Sequence, residues 1–138
     1  MTPQLPNPPP PIDPETEAFW SATAEGRLLL PFCTSCDQVF WYPRGFCPDC
    51  GSDELVWQEA SGNGTIYTFT VQHRLTGTYR EAGTNVLAYV ELKEGPLVMT
   101  NIVDYDLDQL IIGKEVEIVF HDTGQGSALY RFRPKERA

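Results

Sequence analysis

The chain has 138 residues, of which 41% are hydrophobic and 12% aromatic, a composition typical of one compact globular domain. Its 19 acidic and 10 basic residues give a formal charge of −9, which opposes binding to a long nucleic acid because cations are needed to neutralise phosphates. No apolar run approaches the roughly 20 residues of a membrane helix, so a membrane is not an expected partner either.

Proline dominates the N-terminal segment, with Pro3, Pro6 and the run from Pro8 to Pro11. This composition favours extended polyproline II structure, and we therefore assign residues 1–13 to an arm. The segment has neither the basic region nor the apolar run of a secretory signal, so we expect a cytoplasmic, reducing location.

A short helix is predicted over residues 14–25. Asp13 supplies a candidate N-cap, Pro14 suits the first helical position, and Gly26 supplies a stop. Large aromatic residues on this helix and after it either pack in the protein's own core or anchor a partner, and both interpretations stay open. These aromatic residues are Phe19, Trp20, Trp41 and Tyr42.

Four cysteines form two C-x2-C pairs separated by ten residues, the spacing of two metal-binding knuckles. The predicted ligands are Cys33, Cys36, Cys47 and Cys50. Gly51 follows the second pair and suits a turn with positive φ, while Asp37 holds the equivalent place in the first. A complete four-thiolate shell leaves no position for water, so we predict a structural zinc in a helix-and-ribbon unit over residues 14–58. Iron takes the same ligands, and two disulfides would require an oxidising compartment.

From residue 52 onward, short alternating runs separated by turn residues predict β-strands. The predicted elements are strands Leu55 to Glu59, Thr65 to Arg74, Val86 to Leu92, Leu97 to Val103, Glu115 to His121 and Ala128 to Arg133, with a helical turn at Asp106 to Leu110. In the second strand, alternation puts Tyr67, Phe69 and Val71 on one face. Five strands within residues 59–138 favour a closed barrel, because closure removes exposed edges. We predict an OB barrel, and an SH3-like barrel is the alternative that the strand count leaves open.

The predicted metal site uses every cysteine of the sequence, so no thiol remains as a nucleophile. His73 and His121, the two histidines, each end a predicted strand and lie in no recognisable catalytic motif. We therefore expect the isolated chain to lack enzymatic activity. A hydrolase or transferase that uses His73 is a competing hypothesis.

Ordered motifs run through the chain after residue 13. They are Phe19-Trp20, Gly26-Arg27-Leu28, the two cysteine pairs, Tyr42-Pro43-Arg44, Gly62-x-Gly64-Thr65-Ile66-Tyr67, Ala88-Tyr89-Val90-Glu91-Leu92, Gly95-Pro96, Ile112-Gly113-Lys114 and Arg131-Phe132-Arg133-Pro134. This combination resembles the zinc-ribbon plus OB-fold family of acyl-CoA-associated proteins, with Asp37 standing where the family usually has glycine. The resemblance implies a mainly β fold: an N-terminal helix, a rubredoxin-like zinc ribbon and a five-stranded OB barrel.

The same resemblance implies a non-catalytic partner of thiolase-superfamily enzymes, such as acyltransferases and the lipid-transfer-protein-like aldolases that shorten steroid side chains. We therefore expect an accessory subunit that assembles with such an enzyme in lipid metabolism and shares its acyl-CoA ligand. The alternative is a single-stranded nucleic acid binder, because aromatic residues on an OB barrel can stack bases. The candidate stacking residues are Tyr67, Phe69, Tyr79 and Tyr89.

The candidate acyl-CoA-binding residues are Tyr79, Arg80, Arg131 and Arg133. The first two lie in the segment from Leu75 to Thr84, which is too long for a tight hairpin and suggests a binding loop. The other two are two positions apart on a predicted strand, so both side chains should leave the same face and could hold a phosphate. They belong to a basic tail that continues through Lys135 and Arg137.

Overall fold

The computed structural model describes residues 5–135, so the predictions for Pro3 in the arm and Arg137 in the basic tail lie outside the described residues. Helix α1 spans Glu17–Ala24 and begins later than predicted. The Thr16 backbone N–H donates both to the Asp13 carbonyl and to Asp13 Oδ1 at 3.0 Å, so residues 14–16 form a separate turn that leads into the helix.

The ribbon contains a three-stranded antiparallel sheet in the order β2-β1-β3. Its strands are β1 (Leu29–Cys33), β2 (Gln38–Val39) and β3 (Leu55–Glu59). The prediction for β3 is confirmed with its bounds, whereas the sequence pattern did not predict β1 and β2 as strands. Both flank the first cysteine knuckle, and β2 is only two residues long.

Five further strands close into a barrel in the order β4-β5-β6-β8-β7. They are β4 (Asn63–Gln72), β5 (Asn85–Leu92), β6 (Leu97–Ile102), β7 (Glu115–Asp122) and β8 (Ala128–Pro134). Pairing of β4 with β7 closes the barrel. Strands β6 and β8 form the parallel pair of the barrel. Two 3-10 helices, Gly77–Ala82 and Leu107–Gln109, lie in the connections. The second confirms the predicted helical turn.

The facing of β4 differs from the prediction at one residue. Ile66 is buried in the main core and Phe69 packs against that core, but Tyr67 is 54% exposed. The pairing of β4 with β5 shifts register between Ile66 and Thr68, the mark of a β-bulge. Because a bulge inserts one residue, it returns Phe69 and Val71 to the inner face and leaves Tyr67 outside.

Helix α1 packs against β7 and β8 of the barrel and shares the barrel's core. Phe19 is fully buried, and Trp20 stacks on Tyr130 of β8 with ring centroids 5.9 Å apart. Thr23 Oγ1 accepts a hydrogen bond at 3.0 Å from the backbone N–H of Ala128, the first residue of β8. Leu28 and Leu30, the second of them on β1, belong to the same hydrophobic cluster as the helix and the barrel, whereas the buried residues around the cysteines form a separate cluster. No helix within residues 5–135 is long and apolar enough to cross a membrane.

Candidate metal centre and ligand surface

The four cysteines converge between the two knuckles of the ribbon, with all four sulfurs within 4.8 Å of one another. The Cys33 and Cys50 sulfurs are 3.6 Å apart, and those of Cys36 and Cys47 are 3.7 Å apart. Thiolates bound tetrahedrally to one ion at about 2.3 Å lie about 3.8 Å from each other. The sulfur geometry therefore fits one four-coordinate metal ion.

Each knuckle ends in a residue with left-handed backbone. Gly51 has φ 77° and Asp37 has φ 55°. Glycine reaches this region without steric cost, and aspartate is among the few other residues that tolerate it. The first knuckle therefore keeps the expected turn although it lacks the glycine.

The thiols of Cys33 and Cys36 differ in acidity because burial and the neighbouring groups act on them differently. Burial raises the pKa of the Cys33 thiol, but hydrogen bonds from the Cys36 backbone N–H and the Cys50 sulfur outweigh it and lower that pKa to about 7. Burial and the neighbouring sulfurs raise the pKa of Cys36 to about 12. Thiolate therefore forms at Cys33 before Cys36 and disfavours it there, whereas a bound dication favours thiolate ligands.

Arg131, predicted to contact ligand, is buried beneath the N-terminal arm, with 1% of its surface exposed. Its Nη2 donates to the Pro6 carbonyl at 2.6 Å, and its Nη1 donates to Asn7 Oδ1 at 2.7 Å and lies 2.8 Å from His121 Nδ1. Burial lowers the pKa of Arg131, and the nearby Tyr79 hydroxyl opposes that shift. The guanidinium thus holds the arm against the outer face of β7 and β8.

Arg133 lies on the same face of β8 as Arg131, as alternation predicts, because Phe132 between them is fully buried in the core. Its Nε donates to Glu117 Oε2 on β7 at 2.9 Å in a solvent-exposed ion pair. The two arginines do not converge on one open surface. The arm covers one, and a carboxylate pairs with the other.

The segment from Leu75 to Thr84 contains the 3-10 helix Gly77–Ala82. The two candidate residues are neighbours in this helix, but their side chains have different environments. Tyr79 packs into a small hydrophobic cluster with Leu5, Ala82 and Val103, whereas Arg80 is exposed. Contact of these side chains with acyl-CoA stays a prediction.

Sequence reasoning missed an amide network beside this segment. Asn85 Nδ2 donates to Gln72 Oε1 at 2.8 Å, and Asn101 Nδ2 donates to Asn85 Oδ1 at 2.9 Å. The three residues lie on neighbouring strands β4, β5 and β6. Gln72 and Asn85 are paired across β4 and β5, so a search for polar side chains at paired strand positions could have found these two.

Two family models cover most of the chain. The rubredoxin-like zinc ribbon domain of ChsH2 matches residues 20–56, and the C-terminal OB-fold domain of ChsH2 matches residues 57–121. A DUF35 domain-containing scaffold protein of Methanothermobacter thermautotrophicus is 36% identical over 110 residues, which cover 75% of this chain and 83% of the relative. The chain belongs to the DUF35 family. Its predicted ribbon and OB barrel are thereby confirmed.

Other DUF35 relatives extend the comparison. A chain of the solved Ltp2-ChsH2(DUF35) aldolase is 31% identical, with a TM-score of 0.81 over 91% of this chain and 98% of that one. The probable enoyl-CoA hydratase alpha subunit of Thermomonospora curvata is 34% identical over 118 residues, but the match spans only 37% of that protein. A DUF35 protein of unknown function from Sulfolobus solfataricus, 13% identical with a TM-score of 0.64, shares the fold.

Within this DUF35 fold, the aromatic residues considered as partner anchors have different environments. Phe19 and Trp20 lie in the core at 0% and 4% exposure. Trp41 and Tyr42 are half-buried, and the Tyr42 hydroxyl accepts a hydrogen bond from Trp20 Nε1 at 3.2 Å. The core interpretation therefore accounts for the two helix residues, and only the ribbon pair retains surface that a partner could contact.

Proposed function

We propose that this protein is a non-catalytic accessory subunit of a thiolase-superfamily enzyme. The observation that carries the proposal is the likeness to a chain of the Ltp2-ChsH2(DUF35) aldolase, which extends over 91% of this sequence at 31% identity. The scaffold designation of the archaeal relatives supports an assembly role. The partner we infer is a lipid-transfer-protein-like aldolase, or an acyltransferase, that acts on acyl-CoA in lipid or steroid side-chain breakdown in the cytoplasm.

The metal in this proposal is zinc with a structural role. Four thiolates complete its tetrahedral shell, so the ion would present no position for a substrate oxygen or for an activated water. The ribbon residues would hold the ion, and the ion would in turn fix the two knuckles.

The side chains of the described residues support the assignment of catalysis to the partner chain. Every cysteine belongs to the metal cluster. His121 is hydrogen-bonded to Arg131. The pKa of His121 is lowered mainly by burial and, to a smaller extent, by the charge of Arg131. Nucleophile and general base are therefore assigned to the partner chain.

Acyl-CoA contact is assigned to the segment from Leu75 to Thr84, with Tyr79 and Arg80. Arg131 and Arg133 enter this site only if they exchange their present partners, the arm and Glu117. Nucleic acid is excluded from the proposal, because the acidic chain offers few cations for phosphates.

Co-expression with a thiolase-superfamily protein from the same genome tests the proposal. We expect co-elution at a defined stoichiometry and acyl-CoA cleavage or acyl transfer only when both chains are present. Cys47→Ser, which removes a metal ligand, should abolish co-elution, whereas the matched exposed control Ser35→Ala should not. Turnover by the isolated chain that disappears in His73→Ala would instead support the independent hydrolase or transferase.

A further inference from the structure

The arginines of the described residues fall into two groups. Four have guanidinium groups engaged by protein acceptors: Arg27, Arg44, Arg131 and Arg133. The side chains of Arg74 and Arg80 make no hydrogen bond or ion pair to any residue within 5–135, and both residues are exposed. In a chain with 19 acidic residues against 10 basic ones, two arginines without carboxylate partners need a separate explanation.

Both free arginines line the same surface cavity, which has a volume of about 480 Å³. His73 lies in its wall, at the point where the chain leaves β4, and Thr76 lies just before the 3-10 helix. None of the residues that line the cavity is acidic. The cavity is therefore a local concentration of positive charge on an acidic protein.

The donors around this cavity suit a phosphate group. Two guanidinium groups repel each other, and a dianion between them would replace that repulsion by attraction. Arginine presents paired N–H donors that match phosphate oxygens. The Thr76 hydroxyl makes no capping hydrogen bond to the 3-10 helix, so it is available as a further donor.

A second cavity of about 360 Å³ adjoins the first and shares Arg74 and Thr76 with it. Tyr79 and the amides of Asn85 and Asn101 line it. A molecule anchored by a phosphate in the first cavity could therefore extend along a wall of amide and phenol groups. A chain that carries its own amides would find donors and acceptors there.

We propose that Arg74, Arg80, His73 and Thr76 form a phosphate-binding site, and that the phosphate belongs to coenzyme A. The assignment of the coenzyme rests on the proposed function, whereas the phosphate site stands on the cavity and its free arginines. The site moves the predicted anion contact away from Arg131 and Arg133, whose guanidinium groups already bind the arm and Glu117.

The test titrates the isolated full chain with inorganic pyrophosphate and with coenzyme A by calorimetry at low salt. The site variant is the double substitution Arg74→Gln/Arg80→Gln. The control is Arg27→Gln/Arg44→Gln, which removes the same charge from arginines that bind Glu59 and the Tyr42 carbonyl. We expect at least a tenfold rise in Kd for the site variant, which corresponds to the loss of about one charge-assisted contact. For the control we expect less than a twofold change in Kd.

Backbone amide shifts of the wild-type chain provide a second readout that needs no substitution. Pyrophosphate should shift the signals of Thr76, Gly77 and Gly83 before those of the ribbon. Tighter binding of coenzyme A than of pyrophosphate assigns the site to the coenzyme, and equal binding assigns it to free phosphate compounds and overturns that assignment.

Equal weakening in both double variants, or no saturation by about 10 mM ligand, would overturn the phosphate site. Co-elution of the site variant with the thiolase-superfamily partner measures the accessory function separately. A wild-type chain that co-elutes with the partner but binds no ligand contradicts the site alone, and a wild-type chain that binds ligand but does not co-elute contradicts the proposed function alone.

Discussion

Arg131 Nη1 lies 2.8 Å from Nδ1 of His121. Arginine has no acceptor, so Nδ1 must accept this hydrogen bond and the imidazole must be neutral with its proton on Nε2. The same guanidinium holds Pro6 and Asn7 of the arm. Docking of the arm is therefore coupled to the protonation state of His121.

Stability should fall at mildly acidic pH through His121. Burial, followed by the charge of Arg131, lowers its pKa, while Asp104 opposes the shift. A histidine whose pKa is lower in the folded state than in the unfolded state contributes its full stabilisation above the unfolded-state pKa of about 6.5. This contribution is lost as the pH falls from about 6.5 through the folded-state pKa. Urea unfolding between pH 7.5 and 5 should show a steeper loss for the wild type than for His121→Gln, which accepts the bond without titrating. Equal slopes would contradict the linkage.

The two arginines of β8 should differ strongly in their contribution to stability. Arg131→Met leaves the acceptors of the arm without a donor and should lower the unfolding free energy by about 2–4 kcal/mol. Arg133→Met removes an exposed ion pair and should cost less than about 1 kcal/mol. Chemical denaturation at pH 7.5 measures both, and similar losses would mean that the arm contributes little.

The ribbon should depend on one metal ion per chain. Elemental analysis in reducing buffer is expected to find one equivalent of zinc, with iron as the alternative occupant. Cys33→Ser should lose the ion and unfold the ribbon, because the apo knuckles lack their cross-link. A metal-free wild-type protein with an intact ribbon by NMR would refute this prediction.

The Thr23 hydroxyl should stabilise the junction of helix and barrel. Thr23→Val keeps the shape but leaves the buried N–H of Ala128 without its acceptor, at an expected cost of about 1–3 kcal/mol. Thr34→Val is the control, because its hydroxyl bonds to the Glu54 carbonyl at an exposed site and its loss should cost less than about 1 kcal/mol. Thermal or urea unfolding that ranks the two variants in the reverse order would argue against the junction.

Much of the barrel follows from local sequence rules. Alternating hydrophobic residues predicted every strand of the barrel, and the bounds differ from those observed by no more than two residues. The bulge at Tyr67 was not predictable, because it depends on how β4 pairs with β5 and leaves no mark in the alternation itself.

The metal site was predictable and the environment of Arg131 was not, for a common physical reason. Knuckle geometry is set by cysteines a few residues apart, so spacing encodes it. Arg131 is hydrogen-bonded to Pro6 and Asn7, which lie 125 and 124 residues away in the sequence. Neither segment contains a local pattern that predicts contact with the other. Its strand position correctly predicted that it shares a face of β8 with Arg133 but not that the arm covers it.

The hydrogen bond between Thr23 and Ala128 also constrains the order of events during synthesis. The two residues are 105 positions apart, so a ribosome completes the ribbon and most of the barrel before α1 can reach its partner strand. Until β8 emerges, Phe19 and Trp20 lack the Tyr130 ring on which they pack. The nascent chain therefore leaves one side of these aromatic rings uncovered, and the shared core of helix and barrel is complete only after β8 has been translated.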